Sequence, residues 1–127
     1  MVETVPILKD EENELPIPTL WRKTFIDVVE AFKDGDFQLK RAVADVRPIS
    51  EKEAARIAGN IAAYGDQLIS LPEDAWRTSI YRWMRGYWDV LIDLHTAREG
   101  SSDLVLFVRV HEDGAHYSFE IQSVNVP

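Results

Sequence analysis

From residue 87 onward the chain alternates. Trp88, Val90, Ile92 and Leu94 are apolar at every second position, between Tyr87, Asp89, Leu91, Asp93 and His95. After a loop over 97–101, Leu104, Leu106, Val108 and Val110 alternate with Val105, Phe107, Arg109 and His111. A period of two marks half-buried strands. Asp113-Gly114 is a two-residue hairpin signal. Beyond it Tyr117, Phe119 and Ile121 face one way, and Ser118, Glu120 and Gln122 the other. A turn at Asp113-Gly114 pairs Val110 with Tyr117, Val108 with Phe119 and Leu106 with Ile121. Every apolar side chain then falls on one face, which a one-residue slip would destroy.

Earlier in the chain the period changes to that of a helix. Trp21, Phe25, Val28, Val29 and Phe32 share one face of a helix predicted over 20–33, with Thr19 as its N-cap and Asp34-Gly35 as its end. Ser50-Glu51-Lys52-Glu53 is a capping box that opens a second helix with a small face of Ala54, Ile57, Ala58, Ile61 and Ala62, closed at Tyr64-Gly65. A third helix is predicted from Glu73-Asp74 to Gly86, burying Trp76, Ile80, Trp83 and Met84. Residues 36–49 follow no period. Residues 1–18 read as an extended arm, with an acidic turn at Asp10-Glu11-Glu12-Asn13-Glu14 and prolines at 16 and 18 that keep Leu15 and Ile17 out of the helical region. The fold expected is α+β: about three helices on one face of a C-terminal three-stranded antiparallel meander, with an extended N-terminal arm. The organisation expected is one domain over 1–127, with the arm over 1–18, a mainly helical part over 19–86 and sheet over 87–127.

Bulk properties narrow the function classes. At 127 residues and 46% apolar, the chain is long enough for one core. It carries 14 basic and 22 acidic residues, a net charge of −8, which disfavours nucleic acid and anionic membranes and favours a basic partner. It has no cysteine, so disulfides, thiolate chemistry and cysteine zinc sites are excluded. No run approaches the length of a membrane span, and the first residues lack the charge and apolar pattern of a signal peptide, so the cytoplasm is the expected location.

Candidate chemistry is sparse. The predicted hairpin puts His111 across from His116, with Glu112 and Glu120 nearby. A metal needs further ligands at recognised spacing, and none is present, so no metal is expected. Asp89, Asp93 and His95 share the outer face of the first long strand, with Arg109 across from Asp89. That constellation is either an alternative ligand site or a cross-strand ion pair beside solvated residues. No nucleophile elbow, phosphate-binding loop or dinucleotide motif appears, so neither catalysis nor a cofactor is expected. Arg77, Arg82 and Arg85 form a basic cluster within the Trp-rich segment 76–88. Trp76, Trp83 and Met84 read as core, while Tyr81, Tyr87 or one of the tryptophans could instead anchor a partner interface.

The runs Leu15-Pro16-Ile17-Pro18 with Trp21 and Phe25, Tyr64-Gly65-Asp66 with Leu71-Pro72, Trp88-Asp89-Val90-Leu91 with Asp93-Leu94, and Glu99-Gly100-Ser101-Ser102-Asp103-Leu104 span most of the chain. On these runs the chain resembles a family of small bacterial proteins carrying a domain of unknown function, and none of them is a catalytic signature. In size, acidity and lack of catalytic motifs it also looks like the immunity proteins of bacterial toxin systems. That likeness implies a cytoplasmic module that binds and neutralises a cognate toxin, such as a basic nuclease. Its binding surface would use Asp10, Glu11, Glu12 and Glu14 on the arm and Asp66, Glu73 and Asp74 beyond it. Two alternatives stand beside this reading: a small ligand-binding or enzymatic domain built on the outer sheet face, and a regulatory subunit that dimerises through Leu91, Val105 and Phe107. Direct contact with nucleic acid or membrane is not expected, and the chain is read as a monomer or homodimer.

Overall fold

The computed structural model describes residues 4–127. Its elements are β1 (Leu15–Pro16), α1 (Thr19–Lys33), α2 (Glu51–Tyr64), a 3-10 turn (Glu73–Arg77), β2 (Ile80–Trp83), β3 (Trp88–Thr96), β4 (Gly100–Asp113) and β5 (His116–Asn125). The five strands form one antiparallel sheet in chain order. The expected three helices on a three-stranded sheet are thus corrected to two α-helices on a five-stranded sheet, with more strand than helix.

The third predicted helix is where the difference arises. Trp76, Ile80, Trp83 and Met84 have helical spacing, but only the first turn winds, as the 3-10 segment. The chain then extends, so that Tyr81 and Trp83 point inward opposite Val90 and Trp88. Aromatic residues suit a pleated surface, and a four-residue strand is too short to display its period. Met84 donates its amide to the Tyr87 carbonyl at 2.8 Å and closes the β2–β3 hairpin, with Arg85 at φ 60°. Met84 itself is 42% exposed rather than core. Strand β1 adds the arm to the sheet at its edge, the one place where Pro16 removes no needed donor.

Helix α1 presents Trp21, Phe25, Val28, Val29 and Phe32 to the sheet, all buried. Trp21 meets Tyr81, Trp88, Tyr117 and Phe119 edge-on, with ring centroids 5.3–6.2 Å apart. Thr19 does not cap this helix. Pro18 is the N-cap residue, and the Thr19 hydroxyl accepts the Val5 amide at 2.7 Å while the Thr19 amide donates to the Val5 carbonyl. Helix α2 begins as expected, with Ser50 Oγ accepting the Glu53 amide at 3.1 Å. The Glu53 carboxylate pairs with Arg56.

The β4–β5 register is displaced by two residues from the expected one. Asp113 pairs with His116, so Gly114-Ala115 forms the turn, and Val110 faces Phe119 and Val108 faces Ile121. Gly114 holds φ 62°, the positive value that a II′-type hairpin needs at its first loop position. A shift of two keeps every side chain on its expected face. An extra residue in β5 between Ile121 and Ser123 then turns Val124 into the core opposite Leu106. Residues 36–49 are organised by the Asp36 carboxylate, which accepts the amides of Lys40 and Arg41. Val46 adds a single parallel bridge beside Phe119.

The arm completes the inner face. Tyr81 Oη accepts the Leu8 amide at 2.8 Å and donates to the Pro6 carbonyl at 3.3 Å, and Trp88 Nε1 donates to the Leu8 carbonyl at 3.0 Å. Tyr81→Phe strands these two backbone groups. It should cost about 1–3 kcal/mol in urea unfolding and speed proteolysis N-terminal to Thr19. Trp21→Ala, which empties the centre of the aromatic cluster, should cost about 3–5 kcal/mol in the same measurement.

Candidate protein-interaction site

The acidic turn of the arm lies against the β2–β3 hairpin, whose tip residues Met84, Arg85 and Gly86 are exposed. The turn is rigid. Asp10 accepts the amides of Glu12 and Asn13 and the side-chain amide of Asn13. The Asn13 side chain first, and then the Glu12 amide, hold the Asp10 carboxyl below the usual carboxylate range. Arg82 Nε donates to the Glu11 carbonyl at 3.0 Å, and Arg85 donates to both carboxylate oxygens of Glu11, the Nη2 contact being 2.8 Å. The hydrogen bond from Arg85 likewise lowers the Glu11 carboxyl. Between turn and hairpin lies an open groove of about 640 Å³ lined by Glu11, Glu12, Arg82, Trp83, Met84 and Arg85. Trp83 is half-buried, tilted at 53° against Trp88 with ring centroids 4.7 Å apart, and Lys9 Nζ lies over its ring at 5.2 Å from the centroid. The arginine cluster noted in the sequence is therefore engaged: Arg82 and Arg85 by the arm, and Arg77 by Asp74 at 3.2 Å.

The seven acids expected to bind a partner occupy different environments. Asp10, Glu11, Glu12 and Glu14 belong to the arm turn, of which Glu11 and Glu12 line the groove, and Glu12 and Glu14 are exposed. Glu73 is exposed with Arg22 4.0 Å away, and Asp74 belongs to the Arg77 pair. Asp66 is structural. It accepts the amides of Gln67 and Arg98, and Arg98 Nε lies 3.4 Å from it. Beside it Tyr64 Oη donates to Glu99 and accepts the Asp103 amide, which ties α2 to the β3–β4 loop.

The outer sheet face carries the alternative site. Asp89 and Arg109 are cross-strand partners as expected, 3.4 Å apart, and Tyr87 lies against the Arg109 guanidinium at 4.5 Å. The register extends this pair into a row across four strands, Arg82–Asp89–Arg109–Glu120, of alternating sign. The next row is Ile80–Leu91–Phe107–Ser123, half-buried throughout. A shallow cavity of about 290 Å³ includes Asp89, Leu91, Phe107, Arg109, Gln122 and Ser123 in its lining. Asp93 lies one row further, opposite Val105, and His95 is buried beyond an irregularity in the β3–β4 pairing. The structure thus brings Asp89 and Arg109 together and leaves Asp93 and His95 outside that cavity. Val105 is also buried, at 5% exposure. His111 is opposite Ser118 and not His116, a consequence of the two-residue register shift, and its Nε2 lies 3.0 Å from Glu120. Among the described residues no group of three or more His, Asp or Glu side chains is placed to hold a metal, and no helix is long and apolar enough to cross a membrane.

One family model, described as Domain of unknown function (DUF7668), matches residues 29–127. The match contains the hairpin side of the groove and the whole of β3, β4 and β5, and leaves out the arm and the first part of α1. No curated protein and no solved structure matches the chain.

Asp66 gives this end of the molecule a pH signature. Burial works against its charge. The nearby Thr96 hydroxyl, the amides of Gln67 and Arg98 and the Arg98 guanidinium outweigh that and hold the carboxyl at about 2, from an ordinary 3.8. A depressed folded-state value stabilises the fold above the ordinary carboxylate range and is lost as pH falls through that window. Asp66→Asn should therefore lower the urea midpoint at neutral pH, and the gap from the wild-type chain should close as pH falls from 3.8 towards 2.

Proposed function

The chain belongs to the DUF7668 family, and we propose that it is a small protein-binding module that captures a basic partner protein in the groove between the arm turn and the β2–β3 hairpin. The observation that carries this reading is the composition of the groove. It sets Trp83 and the exposed Met84 beside a fixed acidic turn whose Glu12 and Glu14 have no basic side chain within ion-pair distance among the described residues. Tryptophan, methionine and arginine are the side chains enriched at protein interfaces, and the exposed carboxylates of Glu12 and Glu14 complement a cationic partner. The net charge of −8 adds long-range attraction to a basic protein.

The partner class we favour is a basic toxin, such as a nuclease, that the module neutralises by covering its cationic surface. Immunity of that kind requires binding without turnover, and a groove lined by Trp83, Met84 and the Arg85–Glu11 ion pair suits binding.

Affinity capture from the cells that make the chain should yield a basic protein. With that partner purified, Glu12→Lys and Met84→Asp should each weaken binding about tenfold or more, equivalent to about 1.4 kcal/mol. Asp103→Lys, an equal charge change at the far end of β4, should leave affinity within about threefold, as expected for a charge beyond the screening length. Co-expression with the chain should restore growth to cells that produce the partner. Equal weakening by Glu12→Lys and Asp103→Lys would reduce the effect to bulk charge, and a neutral or acidic partner would overturn the proposal.

A further inference from the structure

We infer that the outer sheet face is a self-complementary surface on which a second copy of this chain docks. The inference rests on the order of charges in one row. Arg82, Asp89, Arg109 and Glu120 occupy β2, β3, β4 and β5 in direct register and alternate plus, minus, plus, minus. All four lie on the face away from α1 and α2, because their neighbours Tyr81, Trp88, Val90, Val108, Val110 and Phe119 point into the core.

Consider a two-fold axis parallel to the strands, running between β3 and β4. Two copies placed face to face about it meet with the strand order reversed. Arg82 then faces Glu120 of the second copy, Asp89 faces Arg109, Arg109 faces Asp89 and Glu120 faces Arg82. Every pair is of opposite sign, which is a property of an even, alternating row and of few other arrangements. The neighbouring row obeys the same operation, since Leu91 meets Phe107 and Phe107 meets Leu91. Aligned stacking of two twisted sheets is a standard packing geometry, with a gap of about 10 Å that these side chains fill.

Charge also says why the occupant is a second copy. Two molecules of net charge −8 repel each other over most of their surfaces. The four-residue row sums to zero, so on this face the local contacts add attraction and no like-charge contact to that repulsion. The row extends at both ends. One residue before β1, the same register brings Glu14 beside Arg82, and Arg47 Nη1 lies 3.8 Å from Glu120. Reversal sets Glu14 against Arg47, again of opposite sign. Four strands and two or three rows bury on the order of 800 Å² in total, which places the dimer in the weak, transient class. Its pairs are solvent-accessible, so salt weakens it.

The test is sedimentation equilibrium of the intact chain at low salt up to millimolar concentration, with circular dichroism as a check on folding. The wild-type chain should dimerise, and more weakly as salt rises. Asp89→Arg alone and Arg109→Asp alone each place two like-charge pairs across the axis and should weaken the dimer tenfold or more. Mixed one to one, these two variants present opposite charges at every position, and the mixture should regain the wild-type affinity as a heterodimer. A wild-type chain that stays monomeric throughout, single variants that dimerise like the wild type, or a mixture no tighter than its components would each overturn the inference. The groove variants Glu12→Lys and Met84→Asp should leave the dimer unchanged, which separates its failure from that of the partner-binding proposal.

Discussion

The structure turns on Trp21. Its indole is fully buried and meets four rings, from β2, β3 and β5, at edge-on angles. Its ring nitrogen has no hydrogen-bond partner, so packing alone holds it. Such contacts are worth about 0.5–1.5 kcal/mol each beyond the area they bury. More important is what they fix. With Trp88, Phe119 and Tyr81 committed to the inner face, strand parity leaves no freedom for their neighbours, and Arg82, Asp89, Arg109 and Glu120 must point outward. The same cluster draws in the arm, because Tyr81 and Trp88 offer their polar atoms to the backbone of residues 6–8. Core packing therefore positions both exposed features, the groove and the charged row.

Charge is divided among distinct tasks. The chain has eight more acids than bases, yet most bases are already in ion pairs, and most of those pairs are exposed and contribute little to stability. Asp10 shapes a turn, Glu11 fastens the arm to Arg85, and Asp66 ties α2 to the β3–β4 loop. Glu12 and Glu14 have no comparable structural duty. The row on the outer face is neutral in sum and ordered in sign. A groove that sets Trp83 and Met84 beside the exposed Glu12, and a sheet face with charges of alternating sign, are two surfaces of different chemistry on one small molecule.

Local order along the chain explains which parts of this were legible. Strands β3, β4 and β5 showed their period, and the Asp89–Arg109 pair followed from counting across a loop. Trp21, Phe25 and the rest of the α1 stripe were equally visible. The β4–β5 register was misread by two residues because Asp113-Gly114 is a strong turn signal, while the chain uses Gly114-Ala115 and keeps Asp113 in the strand. Both choices satisfy the same parity, so the hydrophobic pattern could not separate them. Trp76, Ile80, Trp83 and Met84 suggested a helix since β2 is four residues long, and β1 is two residues long and has no period at all. The groove was the least visible feature. Its two sides, Asp10 to Glu14 and Arg82 to Arg85, were each conspicuous for charge, but their pairing spans more than seventy residues and is set by where the arm crosses Tyr81 and Trp88.

Titration of isotope-labelled chain with a short synthetic peptide of lysine and leucine, followed by amide chemical shifts, tests the location of the binding surface most directly. The account predicts changes concentrated at residues 11–14 and 82–85, saturating at one site. Changes spread over all exposed acids, or centred on Asp66, Glu99 and Asp103 at the far end of the sheet, would contradict it.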